Sequence, residues 1–151
     1  MSTKKSGLIG LAAALILILA GCGTVAEPEE QAPATVQAVA GSPIPQLRLT
    51  GQAVHRLGIA TQPVRLAHVT VAGQARLRTV IPYSAVIYDN DGSTWTYVSI
   101  TARTFRRQRI TVLVIQGSIA VLSQGPAAGT PVVTVGAPEL LGTEYNISGE
   151  E

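Results

Sequence analysis

Residues 84–100 read SAVIYDNDGSTWTYVSI, and this stretch decides the fold. Two runs rich in β-branched and aromatic residues flank the loop 89–93, which consists of turn-forming residues. This pattern predicts a β-hairpin. In the second run, threonine and aliphatic residues alternate with Trp95, Tyr97 and Ser99. Since successive side chains of a strand point to opposite sides, the predicted strand has two chemically distinct faces.

The strand-and-turn pattern extends over residues 47–151, which we predict to be the folded domain. A single short helix is expected from Thr50 to Gly58, because threonine can cap a helix start and glycine can end one. Everything after it is expected to be strand. The other predicted strands are 64–71, 109–115, 118–122 and 130–135. No crossover helix separates them, so the predicted fold class is all-β with one short helix, a small antiparallel β-barrel or sandwich.

Residues 1–21 have the features of an export signal. Lys4 and Lys5 precede an uncharged run of 14 residues at 7–20, which is short for a membrane-spanning helix. The run ends in LAGC at 19–22, which resembles a bacterial lipoprotein signal. That resemblance implies cleavage before Cys22, acylation of its thiol and a cell-envelope protein whose domain lies outside the cytoplasm, on the periplasmic side in a Gram-negative cell. The alternative is a cysteine that merely follows an ordinary secretory signal.

Residues 22–46 are expected to be a disordered tether. They contain several prolines, many alanines and the acidic cluster Glu27, Glu29 and Glu30, with no regular apolar pattern. Once the leader and its two lysines are removed, nine arginines balance nine acidic residues. A net charge of zero gives no reason to expect nucleic-acid binding or electrostatic adhesion to a membrane.

The sequence offers no recognisable catalytic or metal-binding pattern, so we expect no enzyme activity, no cofactor and no bound metal. The single cysteine excludes an internal disulfide. His55 and His68 have no carboxylate or thiol at a spacing that would complete a metal site. The loop 89–93 begins like a calcium loop but lacks its later ligands, so we interpret it as a hairpin turn.

Several segments in a fixed order resemble the C-terminal part of periplasmic adaptor proteins, also called membrane fusion proteins, of resistance-nodulation-division efflux pumps. These segments are IPYSAVIYD at 81–89, TYV at 96–98, VLSQG at 121–125, AG at 128–129 and VVTVGA at 132–137. A weaker similarity covers 50–65. The chain departs from the adaptor pattern at Pro126 and Thr130, where leucine and aspartate are usual.

The resemblance implies a membrane-proximal domain that stands alone. In full-length adaptors the chain leaves this domain to build a lipoyl-like domain, a helical hairpin and a β-barrel domain, whereas here only residues 72–80 are available. We expect them to form a short loop through Gly73. The implied function is a lipid-anchored, non-catalytic, adaptor-like domain that docks on or assists an inner-membrane efflux transporter. Two alternatives remain open: a free-standing ligand-binding or scaffold lipoprotein of the envelope, and a degenerate adaptor remnant.

The expected partners are membrane lipid, through acylated Cys22, and a transporter or full-length adaptor. The candidate contact residues are Arg103, Arg106, Arg107 and Arg109. Guanidinium groups bind phosphate and carboxylate through paired hydrogen bonds, so these arginines could contact lipid headgroups or an acidic transporter surface. They could equally be the solvated charges of an edge strand. On either interpretation, reversing Arg106 and Arg107 is expected to have little effect on stability.

We expect Cys22→Ala to abolish cleavage at the lipoprotein site and attachment of fatty acid, because the acylated thiol is lost. Metabolic labelling with palmitate measures this directly. Equal labelling of the wild-type and mutant proteins would rule out Cys22 as the lipid attachment site.

Overall fold

The computed structural model describes residues 32–147, and it confirms the predicted all-β fold. Ten strands, two α-helices and a short 3-10 turn at Tyr83–Ala85 follow one another. The strands are β1 (Ala34–Val39), β2 (Ser42–Leu49), β3 (Ala60–Pro63), β4 (Arg65–Val71), β5 (Gln74–Pro82), β6 (Ile87–Tyr88), β7 (Thr94–Thr101), β8 (Thr104–Gln116), β9 (Ile119–Gln124) and β10 (Pro131–Val135). The helices are α1 (Gly51–Arg56) and α2 (Ala137–Ile147).

The main sheet is curled and antiparallel. Its strands are hydrogen-bonded in the order β3-β10-β7-β8-β9-β5-β4, with each neighbouring pair antiparallel. The two terminal strands are consecutive in the chain, separated only by Val64. Val64 also continues the pairing towards β10, since its amide donates to the Thr130 carbonyl and its carbonyl accepts from Gly129, both at 2.8 Å. The sheet therefore curls into a small antiparallel half-barrel whose terminal strands β3 and β4 are joined through Val64.

The barrel interior is filled by apolar side chains from β5, β7, β8, β9 and β10, together with Val64 between β3 and β4 and Ala85 of the 3-10 turn. The buried cluster consists of Val64, Ile81, Ala85, Val98, Ile110, Ala120, Leu122 and Val132. Residues next to them in sequence face the other way, as Val132 and Val133 show by belonging to two different clusters. This alternation is the two-residue period of a strand with one face buried in the barrel.

A second core covers the outer surface of β7, β8 and β10. The hairpin β1–β2 pairs with the start of β8, and both helices contribute side chains to the same layer. The buried members of this core are Leu47, Leu49, Ala53, Ile87, Tyr97, Phe105, Val133, Ala137 and Leu140. Burying each large apolar side chain contributes about 1.5–3 kcal/mol, so the outer layer stabilises the domain as well as shielding the barrel.

The local predictions for the helix and hairpins are confirmed. α1 begins after Thr50, whose Oγ1 accepts a hydrogen bond from the Ala53 amide at 3.1 Å, as expected of an N-cap residue. The loop 89–93 is a turn in which the Asp91 carboxylate accepts from the Ser93 amide at 2.8 Å. It joins β6 to β7, which pairs next with β8.

The predicted boundary of the tether is wrong. β1 and the first part of β2 occupy residues 34–46, which we expected to be disordered. The prolines of this segment obscured its strand pattern in the sequence. Pro43 and Pro45 lie in β2, whose last residues include Leu47 and Leu49 of the outer core. The leader and residues 22–31 lie outside the described residues.

The predicted loop over residues 72–80 is also wrong, since most of it is strand. β5 begins at Gln74 and pairs with β4 as a regular hairpin whose turn consists of Ala72 and Gly73. Both turn residues have positive φ, 49° and 76° respectively. Two-residue turns of this kind match the twist of the flanking strands, but they normally use Asn-Gly or Gly-Gly.

The last correction is α2, because the sequence predicts no helix after residue 58. Gly136, with φ 86°, turns the chain from β10 into this helix. Pro138 is tolerated in its first turn, where the missing amide hydrogen is not needed. Ala137 and Leu140 face the core, but the next position of the same face, Glu144, is charged. A short amphipathic pattern interrupted by a carboxylate does not predict a helix.

We expect Ala72→Asn to stabilise the domain by about 1 kcal/mol, because asparagine tolerates the left-handed conformation that alanine does not. Ala40→Asn is the matched control: it lies in the Ala-Gly turn between β1 and β2, where only Gly41 has positive φ. Urea denaturation measures both variants. A gain at position 40 equal to that at position 72 would contradict the conformational explanation.

Candidate functional site

The chemically densest part of the described chain is a buried ionic cluster around Arg107. This arginine lies in β8, and 8% of its side chain is exposed. Its Nη1 lies 2.6 Å from Asp89 Oδ2, and its Nη2 lies 3.1 Å from Glu144 Oε1. Asp89 comes from the β6–β7 turn and Glu144 from α2, so one guanidinium joins three separate segments.

Two tyrosines complete the hydrogen bonding of the carboxylates. Tyr97 OH donates to Glu144 Oε2 at 2.5 Å, and Tyr145 OH donates to Asp89 Oδ1 at 2.8 Å. Arg107 Nη1 also donates to Tyr145 OH at 3.2 Å. Each carboxylate therefore interacts with the cation through one oxygen and with a phenol through the other.

Aromatic rings shield the guanidinium from water. The central carbon of Arg107 lies 4.5 Å from the ring centroid of Trp95 and 5.6 Å from that of Tyr145. Cations at these distances are attracted to the negative face of an aromatic ring. The indole of Trp95 is held in place by donating to Ser93 Oγ at 2.7 Å. The cluster is thus rigid as well as enclosed.

The pKa shifts follow from this arrangement. Hydrogen bonding from Tyr145, with help from the Asn90 amide and Arg107, lowers the pKa of Asp89. Burial, the hydrogen bond to Glu144 and the charge of Glu144 raise the pKa of Tyr97 well beyond its usual range. Burial opposes the charge of Arg107, but Glu144, Tyr145 and Asp89 together raise its pKa. At neutral pH the cation stays charged and Tyr97 remains a proton donor.

This cluster attaches α2 to the barrel. Arg107 and Tyr97 face each other across β7 and β8, and they hold the helix through Glu144 and Tyr145. Within this cluster, the carboxylates and phenols are engaged with Arg107 or with one another. A buried Arg with two carboxylates is costly to desolvate, and its geometry is favourable only because all three segments come together.

The structure separates the four arginines proposed as partner contacts. The prediction that Arg107 contacts a partner at the surface is wrong, because this residue is buried in the ionic cluster. Arg109 is exposed at the margin of that cluster, 5.6 Å from the Trp95 ring. Arg106 is half-buried on the opposite face of β8, and Arg103 is exposed in the turn before that strand. The prediction that reversing the charge of Arg107 has little effect on stability is therefore wrong, because the reversal would leave a buried charge beside two carboxylates.

The alternative interpretation, a solvated edge strand, is wrong as well. β8 pairs with β7 on one side, and with β2 and then β9 on the other. The pairing with β2 brings a further arginine to the start of β8, since Arg48 lies opposite Thr104. We call Arg48 of β2, Arg103 of the turn before β8 and Arg106 of β8 the β8 arginine surface, because all three lie near the first residues of β8.

The folded region is strongly basic although the mature chain is neutral overall. Residues 32–147 contain nine arginines, no lysine and only four acidic residues, Asp89, Asp91, Glu139 and Glu144. Two of these acids are engaged with Arg107. The other five acidic residues, Glu27, Glu29, Glu30, Glu150 and Glu151, all fall outside this range. The inference that the domain lacks electrostatic attraction for acidic surfaces is therefore corrected.

Other candidate sites are modest. Gln62, Arg65, Tyr83, Ser84 and Ser118 line a shallow surface hollow at one end of the barrel. Within residues 32–147, no three His, Cys, Asp or Glu side chains lie close enough to hold one metal ion. His55 and His68 are exposed, on α1 and β4 respectively. None of the helices in this range has the length and apolar character needed to cross a membrane.

Comparison with known proteins gives no relative. No family model, curated protein or solved structure matches the chain at a significant level. The similarity to periplasmic adaptors stays a prediction based on the segments quoted above.

The sequence did not predict the ionic cluster, although the alternation in β7 indicated one part of it. The alternation in β7 placed Trp95 and Tyr97 on one face, but a regular two-residue turn at 102–103 would have placed them opposite Ile110 and Gln108. The register shift between Ser99 and Thr101 places them opposite Arg109 and Arg107 instead. This register shows that Arg107 shares a face with aromatic residues. Glu144 and Tyr145 could not be found this way, because they lie on the unexpected helix α2.

We expect Arg107→Ala to lower the free energy of unfolding by about 3 kcal/mol, because two carboxylates and a phenol would lose their buried cation. Arg109→Ala is the matched control; it removes an exposed arginine from the same strand and should change stability by less than about 0.5 kcal/mol. Urea denaturation measures both. Equal midpoints for the two variants would show that the cluster does not stabilise the domain.

Proposed function

We propose that this protein is a lipid-anchored, non-catalytic docking domain of the cell envelope that binds an inner-membrane transporter or its full-length adaptor. The observation that carries the proposal is how the arginines are used. Arg107 and the surrounding acid–base groups hold the domain together, whereas the β8 arginine surface is left for contact with an acidic partner. Such surfaces contribute mainly to the rate and specificity of association.

The connection between β4 and β5 also supports the proposal. The adaptor resemblance places a large excursion of the chain at this point, and here a turn of two residues joins the strands. A protein with this connection lacks the part of an adaptor that would bridge to an outer duct. We therefore propose an assisting role beside a complete pump rather than replacement of its adaptor.

The anchor brings the domain near its partner. Since β1 begins at Ala34, eleven residues separate it from Cys22. An extended chain of that length spans at most about 40 Å. This limit is half of what the longer tether predicted from the sequence would allow, and it restricts partners to proteins close to the membrane surface.

We expect Arg103→Glu with Arg106→Glu to reduce recovery of a transporter or adaptor in pull-downs from crosslinked membranes by at least about fivefold, because the partner surface is acidic. Arg76→Glu with Arg78→Glu makes the same charge change on another surface and should preserve recovery. Thermal unfolding of both variants checks that the fold is retained.

Two outcomes would contradict the proposal. Recovery of no transport component by the wild-type protein would favour a free-standing scaffold. Restoration of efflux by this protein in a strain without the pump's own adaptor would show that it replaces the adaptor rather than assisting it.

A further inference from the structure

The hairpin of β4 and β5 packs on the hairpin of β8 and β9. Val69 of β4 lies in one small apolar cluster with Val114 of β8 and Val121 of β9. Gln116, at the end of β8, adds a polar connection, since its Nε2 donates to the Thr70 carbonyl at 2.7 Å. The face of the β4–β5 hairpin that carries Val69 is therefore turned towards β8 and β9, and we call it the packed face.

Three arginines share the packed face with apolar side chains. Directly opposite residues of two paired strands point to the same side of the sheet. The opposite pairs are Arg65 with Val80, Arg78 with Ala67 and Arg76 with Val69. Since the apolar members of these pairs belong to the cluster under the hairpin, the arginines lie on the packed face as well. We call Arg65, Arg76 and Arg78 the hairpin arginines.

Arg78 stands between the other two hairpin arginines. Arg76 and Arg78 are two residues apart on β5, which is about 7 Å along a strand. Arg65 is the diagonal neighbour of Arg78 across the hairpin, and such neighbours are about 7–8 Å apart. Arginine side chains are long enough to bring guanidinium groups at these separations around one small ligand.

No carboxylate within residues 32–147 pairs with the hairpin arginines. The ion pairs of this range are those of Arg107, and its four acidic residues lie on the β6–β7 turn and on α2. Cations that neighbour one another on one face repel, and the repulsion is stronger where they are partly shielded from water. The packed face therefore carries positive charge that the described part of the chain does not balance.

Arg78 gives a second, independent indication of a ligand. This residue is half-buried, and its Nε is buried without a hydrogen-bond partner among the described residues. A buried polar group without a partner costs about 1–3 kcal/mol, and a bound water or ion is a common explanation for one. Arg65 and Arg76 are exposed, so an anion can approach the group from solvent.

We propose that the hairpin arginines form a binding site for a phosphate group carried by a small anion. Phosphate oxygens accept paired hydrogen bonds from guanidinium groups, and a multiply charged anion offsets the mutual repulsion of three cations. The packed face is turned towards the β8–β9 hairpin, so the arginines lie at the margin of the contact between two hairpins. This position suits a small phosphorylated molecule or a single lipid headgroup. The site is separate from the β8 arginine surface and goes beyond the proposed function.

The test uses the full protein in alkyl maltoside micelles, which contain no phosphate, with inorganic pyrophosphate as the probe. Titration calorimetry measures the affinity. We expect Arg78→Gln to weaken pyrophosphate binding by at least about tenfold, because hydrogen bonds between charged groups are lost. Arg56→Gln removes an exposed arginine from α1 and is the matched control, which should leave the affinity unchanged.

Thermal unfolding separates a ligand-binding role of Arg78 from a structural one. Pyrophosphate should raise the unfolding temperature of the wild-type protein but not that of Arg78→Gln, since a ligand stabilises only the state that binds it. Without pyrophosphate, Arg78→Gln should unfold no earlier than the wild-type protein, because it removes a cation that has no counter-charge. Arg65→Gln with Arg76→Gln changes exposed positions and should also abolish the response to pyrophosphate, which keeps the test valid if Arg78→Gln does not fold.

Two results would overturn the proposal. One is a wild-type protein whose unfolding temperature does not respond to pyrophosphate. The other is equal pyrophosphate affinity of the Arg78→Gln and Arg56→Gln variants.

Phosphatidylglycerol added to the micelles identifies the source of the phosphate. A rise in the unfolding temperature of the wild-type protein, absent from Arg78→Gln, assigns the site to a lipid headgroup. A response to pyrophosphate alone assigns it to a soluble phosphorylated molecule. An equal rise in both proteins with phosphatidylglycerol, and no response to pyrophosphate, counts against a phosphate site at these arginines.

Discussion

The burial of one cation, Arg107, is the constraint on which the outer half of this domain depends. A guanidinium can be removed from water only where acceptors surround it, and here they come from the β6–β7 turn and from α2. Tyr97 links Glu144 to the centre of β7, which is also the centre of the outer core. The helix therefore occupies one position on the barrel, because any other would separate Glu144 from both Arg107 and Tyr97.

The barrel itself follows a simpler rule. Alternating side chains from β5, β7, β8, β9 and β10 fill its interior, and the remaining alternate positions build the outer core or meet solvent. The two ends of the sheet are connected by the continuous stretch through Val64, which pairs with β10 at its start and with β5 further on. The outer part of the β4–β5 hairpin is less supported, because β9 pairs with β5 only over residues 79–82.

The arginines divide into groups with different physical roles. Arg107 stabilises the fold, and the β8 arginine surface supports the proposed protein contact. Because the acidic residues of this region are few and two of them are used by Arg107, the other arginines keep an unbalanced positive charge. Attraction to acidic surfaces is a property of the folded domain that the neutral total charge of the mature chain conceals.

The sequence by itself determined the features that depend on neighbouring residues. These are the hairpin through 89–93, the β8–β9 hairpin, the cap of α1 at Thr50 and the all-β class. Turn chemistry and a two-residue period are local signals, so they can be read without knowing the rest of the fold. Only the tertiary structure decided that residues 34–46 form strands, that α2 exists and that Arg107 is buried. Arg107 and Glu144 are far apart in the chain, and a charged residue becomes a core residue only when folding brings its counter-charge to it.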